Sequence, residues 1–110
     1  MSRSDTGVTT ELGDKVDEST IHQLTGFQRD LLYCIAGLEK PSGQSIKEEL
    51  EGRMDHEITH GRLYPNLDTL VETELVSKGD IDRRTNYYDI SEKGVAALQE
   101  YHQWGGEQLP

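Results

Sequence analysis

Thr59-His60-Gly61-Arg62-Leu63-Tyr64-Pro65-Asn66-Leu67-Asp68-Thr69-Leu70-Val71 is the stretch on which the fold turns. Leu63, Leu67, Leu70 and Val71 recur at helical spacing, so a helix over about 59–73 buries one apolar stripe. Thr59 is a fitting N-cap, because its hydroxyl can accept an otherwise unpaired backbone N–H. Arg62 and Asn66 are four apart and share an adjoining side of the helix, which burial of the leucines leaves facing outward. Pro65 lies past the first turn. It removes a backbone donor and leaves the Gly61 carbonyl without its helical partner, so an irregular or bent first turn is expected.

Working outward toward the N-terminus, Ile46 and Leu50 mark a second-position helix over about 43–53. Before it, Phe27, Leu31, Cys34, Ile35 and Leu38 mark a helix over about 25–38. Thr25 and Gln28 are spaced as a capping box, and Pro41-Ser42-Gly43 reads as a stop and turn. Toward the C-terminus, Leu75–Lys78 and Thr85–Ile90 read as two strands joined by the polar run 79–84. Ser91 then caps a helix over about 92–104, ended by Gly105-Gly106, with Val95, Leu98 and Tyr101 on one side and Trp104 near them. The expected class is mainly α with a small β hairpin (α+β). The order helix-helix-helix-hairpin-helix is that of a winged helix-turn-helix.

A chain of 110 residues with 33% hydrophobic residues fits one domain with a thin core. Residues 1–23 are polar and form an N-terminal tail or arm, its first dozen residues expected mobile and 14–23 forming at most a short helix. The net charge is −10, from 21 acidic and 11 basic residues. Such a surface repels phosphate at low salt, but in a very salty cytoplasm the screening length falls to about 3 Å and the acidity aids solubility. Residues 59–87 are close to neutral, with Arg62, Lys78, Arg83 and Arg84 set against five carboxylates. No apolar run approaches 18 residues, so the expectation is a soluble, cytoplasmic protein that does not enter membranes.

Catalytic patterns are missing from the sequence: it has no Gly-rich phosphate loop, no G-x-S-x-G and no H-E-x-x-H. His56 and His60 are four apart beside Asp55 and Glu57, but they fall in a loop and lack a third well-spaced ligand. The expectation is no enzyme, no cofactor and no metal. Cys34 is the one cysteine and sits in an apolar run, which points to an inert thiol.

At the third helix and the hairpin the residues carry a resemblance. Gly61-Arg62-Leu63-Tyr64-Pro65-Asn66-Leu67-Asp68-Thr69-Leu70 resembles the G-x-L-Y-P-x-L-x-x-L signature of the PadR-like transcriptional regulators. Glu74-Leu75-Val76, then Arg83-Arg84-x-x-Tyr87-Tyr88-x-Ile90-Ser91-x-x-Gly94, resembles the wing of that family and the opening of its last helix. The similarity spans about 24–104. Acidity and brevity resemble a halophilic archaeal member, such as the oxidant-response regulator of that group. The second helix opens Gly43-Gln44-Ser45-Ile46 where many relatives have Gly-Tyr-Glu-Leu/Ile, and the wing has no long basic tip.

The resemblance implies a homodimeric, sequence-specific DNA-binding regulator, with residues 24–90 as the DNA-binding domain and 91–110 as a dimerisation helix with a short tail. It implies the third helix in the major groove and the wing on backbone or minor groove of double-stranded DNA. Arg62 can then read a guanine by two-point hydrogen bonding or meet a phosphate, and Asn66 can read an adenine by the same two-point geometry. Thr59 and His60 stand at the helix start, where phosphate is favoured. Tyr64 can reach phosphate or serve only as core. Arg83, Arg84 and Lys78 belong to the wing, and Lys47 is a weaker phosphate candidate. Val95, Leu98, Tyr101 and Trp104 offer more apolar surface than a thin core needs, which favours a dimer. Potassium or other cations are expected between the acidic surface and DNA. The alternative is a winged helix that binds proteins and no DNA.

Overall fold

The computed structural model describes residues 18–110. Of the tail or arm expected over residues 1–23, residues 1–17 lie outside them. A 3-10 segment, Glu18–Gln23, leads into α1 (Gly26–Gly37), α2 (Gly43–Met54), α3 (His60–Glu72), β1 (Val76–Asp80), β2 (Asn86–Ile90) and α4 (Glu92–Gln108). This is the winged helix-turn-helix order.

Each helix starts where a hydroxyl can accept a backbone N–H. Thr25 completes a capping box with Gln28, Ser42 accepts from Ser45 N–H, Thr59 from Arg62 N–H, and Ser91 from Gly94 N–H. The stripes read from the sequence then meet in one core. Leu31, Leu32 and Ile35 of α1, Ile46 and Leu50 of α2, and Leu63, Leu67 and Leu70 of α3 are all buried. Ile21 and Leu24 from the N-terminal segment close one side, and Tyr88 of the hairpin and Ala97 of α4 close the others. Among the described residues no polar or charged side chain is fully buried, so the centre of the trihelical unit is apolar.

The turn between α2 and α3 is held by Glu51. Its carboxylate accepts from the Ile58 N–H at 2.7 Å and from Lys47 Nζ at 2.9 Å. The amide bond first, and the lysine second, hold this carboxyl below its ordinary range. Ile58 is thereby seated in the core and sets where α3 begins.

β1 and β2 pair antiparallel from Val76 opposite Ile90 to Asp80 opposite Asn86. A further bridge joins Ser42 to Tyr87, and Tyr88 N–H donates to the Pro41 carbonyl at 2.9 Å. The wing is therefore pinned to the α1–α2 turn as well as to α3. At its tip the Asp82 carboxylate accepts from the N–H groups of Arg84 and Thr85, which also lowers its pKa. That side-chain turn presents Arg83 and Arg84 outward.

Pro65 lies inside one continuous helix, whose first turn is irregular in that the Thr59 carbonyl accepts from the N–H groups of both Arg62 and Leu63. Side chains take up nearby carbonyls in that turn: Asn66 Nδ2 donates to the Arg62 carbonyl and Thr69 Oγ1 to the Pro65 carbonyl. The last helix does not stop at Gly105-Gly106 but continues to Gln108. Two helical glycines cost about 1 kcal/mol each without forcing a left-handed turn, and neither adopts positive φ. Gln108 Nε2 donates to the Trp104 carbonyl and Gln103 Nε2 to the Glu107 carboxylate, which carries the helix past them. Further back, Gly94 has a packing reason. A Cβ there would collide with the Leu75 carbonyl oxygen and lie 2.7 Å from the Ile90 side chain. Ser91 also donates to the carbonyls of Glu74 and Leu75, so the Ser-x-x-Gly element locks α4 onto the base of the wing.

Candidate nucleic-acid interface

The exposed side of the first two turns of α3 gathers five of the residues singled out from the sequence. Thr59 caps the helix, His60 and Arg62 are exposed, and Asn66 is half-buried. Tyr64 is 38% exposed and lies with its ring against Gly43, where a Cβ would stand only 2.7 Å away. His60 meets the edge of that ring at 5.6 Å between centroids. Tyr64 is thus packed on one face and open on the other, and it is not a core residue. It lines a cleft of about 300 Å3 together with Ser42, Gly43 and Gln44 at the start of α2 and Arg84, Thr85 and Asn86 of the wing. The cleft places a phenol, a guanidinium and the first amides of a helix around one concave surface, a donor set suited to an anionic oxygen.

Two of these α3 residues, Arg62 and Asn66, are held by contacts within the chain. The Arg62 guanidinium stacks on the Phe27 ring, 3.8 Å from the centroid. Asn66 Oδ1 accepts from Gln28 Nε2 at 2.9 Å. The sequence placed Phe27 only in the apolar stripe of the first helix and Gln28 only in its capping box, and neither was expected to touch α3. The Thr25-x-x-Gln28 spacing was legible only as a cap, since nothing local shows what the outer face of that cap touches.

The basic residues divide. Arg83 and Arg84 are exposed at the wing tip. Lys78 points toward α3 and lies 3.8 Å from Asp68. Lys47 is engaged by Glu51 on its own helix, away from the cleft just described.

The four apolar residues assigned to dimerisation also divide. Val95 and Leu98 line a groove of about 310 Å3 with Tyr33, Ala36, Ile90, Gln99 and His102. Val95 is 39% exposed, whereas Leu98 is only 6% exposed and belongs to the core. Tyr101 and Trp104 turn to the N-terminal segment instead. His22 lies edge-on to both rings, at 5.2 and 5.4 Å, and Arg29 stands over Tyr101 at 5.1 Å. Trp104 keeps 48% exposure.

Cys34 is half-buried beside Asp30, Glu49 and Arg53 in a groove between α1 and α2. Burial first, then Glu49 and Asp30 against the opposing pull of Arg53, push its thiol up to about 11. Both burial and the carboxylates disfavour the anion, so thiolate at neutral pH is about a hundredfold scarcer than in an ordinary cysteine. Native protein is expected to react with iodoacetamide about a hundredfold more slowly than the denatured chain. Equal rates would show a thiol that is neither shielded nor shifted, and a faster native rate would identify a reactive one. Among the described residues no three His, Cys, Asp or Glu side chains are placed to hold a metal ion. His56 instead contacts the Met54 carbonyl at 3.2 Å. Nor is any helix among them long and apolar enough to cross a membrane.

Residues 31–100 match the model of the transcriptional regulator PadR-like family. Among solved structures, the complex structure of hsRosR-S1 is 43% identical with a TM-score of 0.73, over 76% of this chain and 74% of that one. The structure of H. salinarum RosR grown from NaBr is 44% identical with a TM-score of 0.71, over 74% of each chain. Comparison with curated proteins finds no match. With its Leu-Tyr-Pro helix, pinned wing and Ser-x-x-Gly lock all in place, the chain belongs to the PadR-like family of transcriptional regulators, sequence-specific DNA-binding proteins that act as homodimers.

Proposed function

We propose that α3 enters the major groove of operator DNA, with Arg62 and Asn66 at base edges and the wing arginines Arg83 and Arg84 on the backbone or minor groove. Thr59, His60 and Tyr64 take phosphates flanking the helix. Lys78 and Lys47 contribute only after leaving their carboxylate partners. Two copies join through the Val95 groove and the outer ends of α4, which presents two recognition helices about one DNA turn apart. The observation that carries this reading is the pair at the first two turns of α3, Arg62 exposed and Asn66 half-buried one turn on.

Asp68 of α3 and Asp80 and Asp82 of the wing are exposed. Cations, potassium above all in a salty cell, bridge such carboxylates to phosphate oxygens and make the acidic face compatible with DNA. Basic contacts release counterions and weaken with salt, whereas cation uptake at the acidic rim does the opposite. Affinity for a duplex selected from random sequence is therefore expected to change little, or to rise, as potassium chloride increases toward the molar range. A steep fall matching many released ions would remove cations from the interface. Failure to select any sequence at all, with fold and dimer intact, would replace DNA by a protein partner.

A further inference from the structure

The contacts of Gln28 form a hydrogen-bond chain whose direction is set at both ends. Thr25 N–H donates to Gln28 Oε1 at 3.0 Å, the backward half of the α1 capping box. With its oxygen committed to the cap, Gln28 turns Nε2 outward and donates to Asn66 Oδ1 at 2.9 Å. Asn66 Nδ2 in turn donates to the Arg62 carbonyl at 2.7 Å. The chain begins at a backbone N–H, which only donates, and ends at a backbone carbonyl, which only accepts. Neither amide can flip without breaking two bonds. Beside it, the Phe27 ring carries the Arg62 guanidinium.

We infer that Gln28 is a specificity-setting positioning residue: through the α1 capping box it fixes which way round Asn66 presents its amide to a base, with Phe27 doing the same for Arg62. This rests on Asn66 and Arg62 being the base readers. The chain leaves Asn66 one free lone pair on Oδ1 and one free proton on Nδ2, the pair that adenine N6 and N7 require. The oxygen lies on the α1 side and the nitrogen on the side of the Arg62 carbonyl. A flipped amide would offer the same groups in reverse order and suit adenine only in the opposite orientation. Gln28 and Phe27 need touch no base themselves.

The test is a double-mutant cycle on discrimination, the ratio of affinities for the selected duplex and for a scrambled one, at fixed high salt. Gln28→Glu still accepts from Thr25 N–H, so the capping box and the fold are retained, but it cannot donate to Asn66. Gln28→Met removes the bond without adding charge. Both are expected to lower discrimination about three- to tenfold, the worth of one such hydrogen bond. In an Asn66→Ala background both are expected to be silent, and Phe27→Leu should be silent beside Arg62→Ala. Parallel weakening on both duplexes, or an equal loss of discrimination with and without Asn66, overturns the inference and leaves Gln28 a plain helix cap. Unchanged discrimination in Gln28→Glu and Gln28→Met, with Asn66→Ala lowering it, overturns the relay alone. Unchanged discrimination in Asn66→Ala overturns the relay and the reading of Asn66 together.

Discussion

Val95→Asp is expected to turn the dimer into a folded monomer and to lower affinity for the full operator about 10²–10⁴-fold, the gain that a second linked site usually provides. Val95 is the discriminating choice because it is exposed in the single chain, at 39%, yet lies in a groove with Tyr33, Ala36 and Ile90. A carboxylate there remains hydrated in the monomer and becomes costly only when a second copy covers it. Leu98→Asp would not separate these effects. Leu98 is core in the single chain, so that change should unfold the domain. Sedimentation at high salt should show the Val95 variant at half the mass of the parent, with an unchanged helical spectrum. A variant that remains dimeric would move the interface off this groove, leaving the exposed outer end of α4 at Trp104 to hold the two copies together.

Arg62→Ala should cost about 1–3 kcal/mol on the selected duplex, roughly five- to 150-fold, and relax preference at one base pair. Stacking on Phe27 sharpens this expectation. A guanidinium held flat loses less conformational freedom on docking than a free side chain does, so its removal should fall toward the upper end of that range. Arg83→Ala and Arg84→Ala should instead weaken selected and scrambled duplexes by similar factors, since backbone contacts carry no sequence information. Binding curves on both duplexes distinguish the two behaviours. Loss of discrimination in the wing variants alone would give the sequence reading to the wing, through the width of the minor groove. No change in any of the three, with fold and mass intact, would remove this face from DNA.

The sequence by itself determined the elements and their order. Leucine spacing and the Ser or Thr caps act within one or two turns, so helix starts at residues 26, 43, 60 and 92 were legible to within a residue. The Leu-Tyr-Pro and Ser-x-x-Gly elements carried the family, and burial of the leucine stripe left Arg62 facing outward, with Asn66 half-buried beside it. Only the tertiary structure decided what those side chains meet. Gln28 and Asn66 are 38 positions apart and join because α1 crosses the start of α3. Tyr64 leaves the core because Gly43 offers a flat seat on α2. The apolar residues of α4 fall on two sides of a helix whose neighbours differ, so Val95 keeps an open groove while Tyr101 turns to His22 and Arg29. Periodicity says which side of a helix is apolar. Which partner covers it depends on how the helices cross, and that is a property of the packed molecule alone.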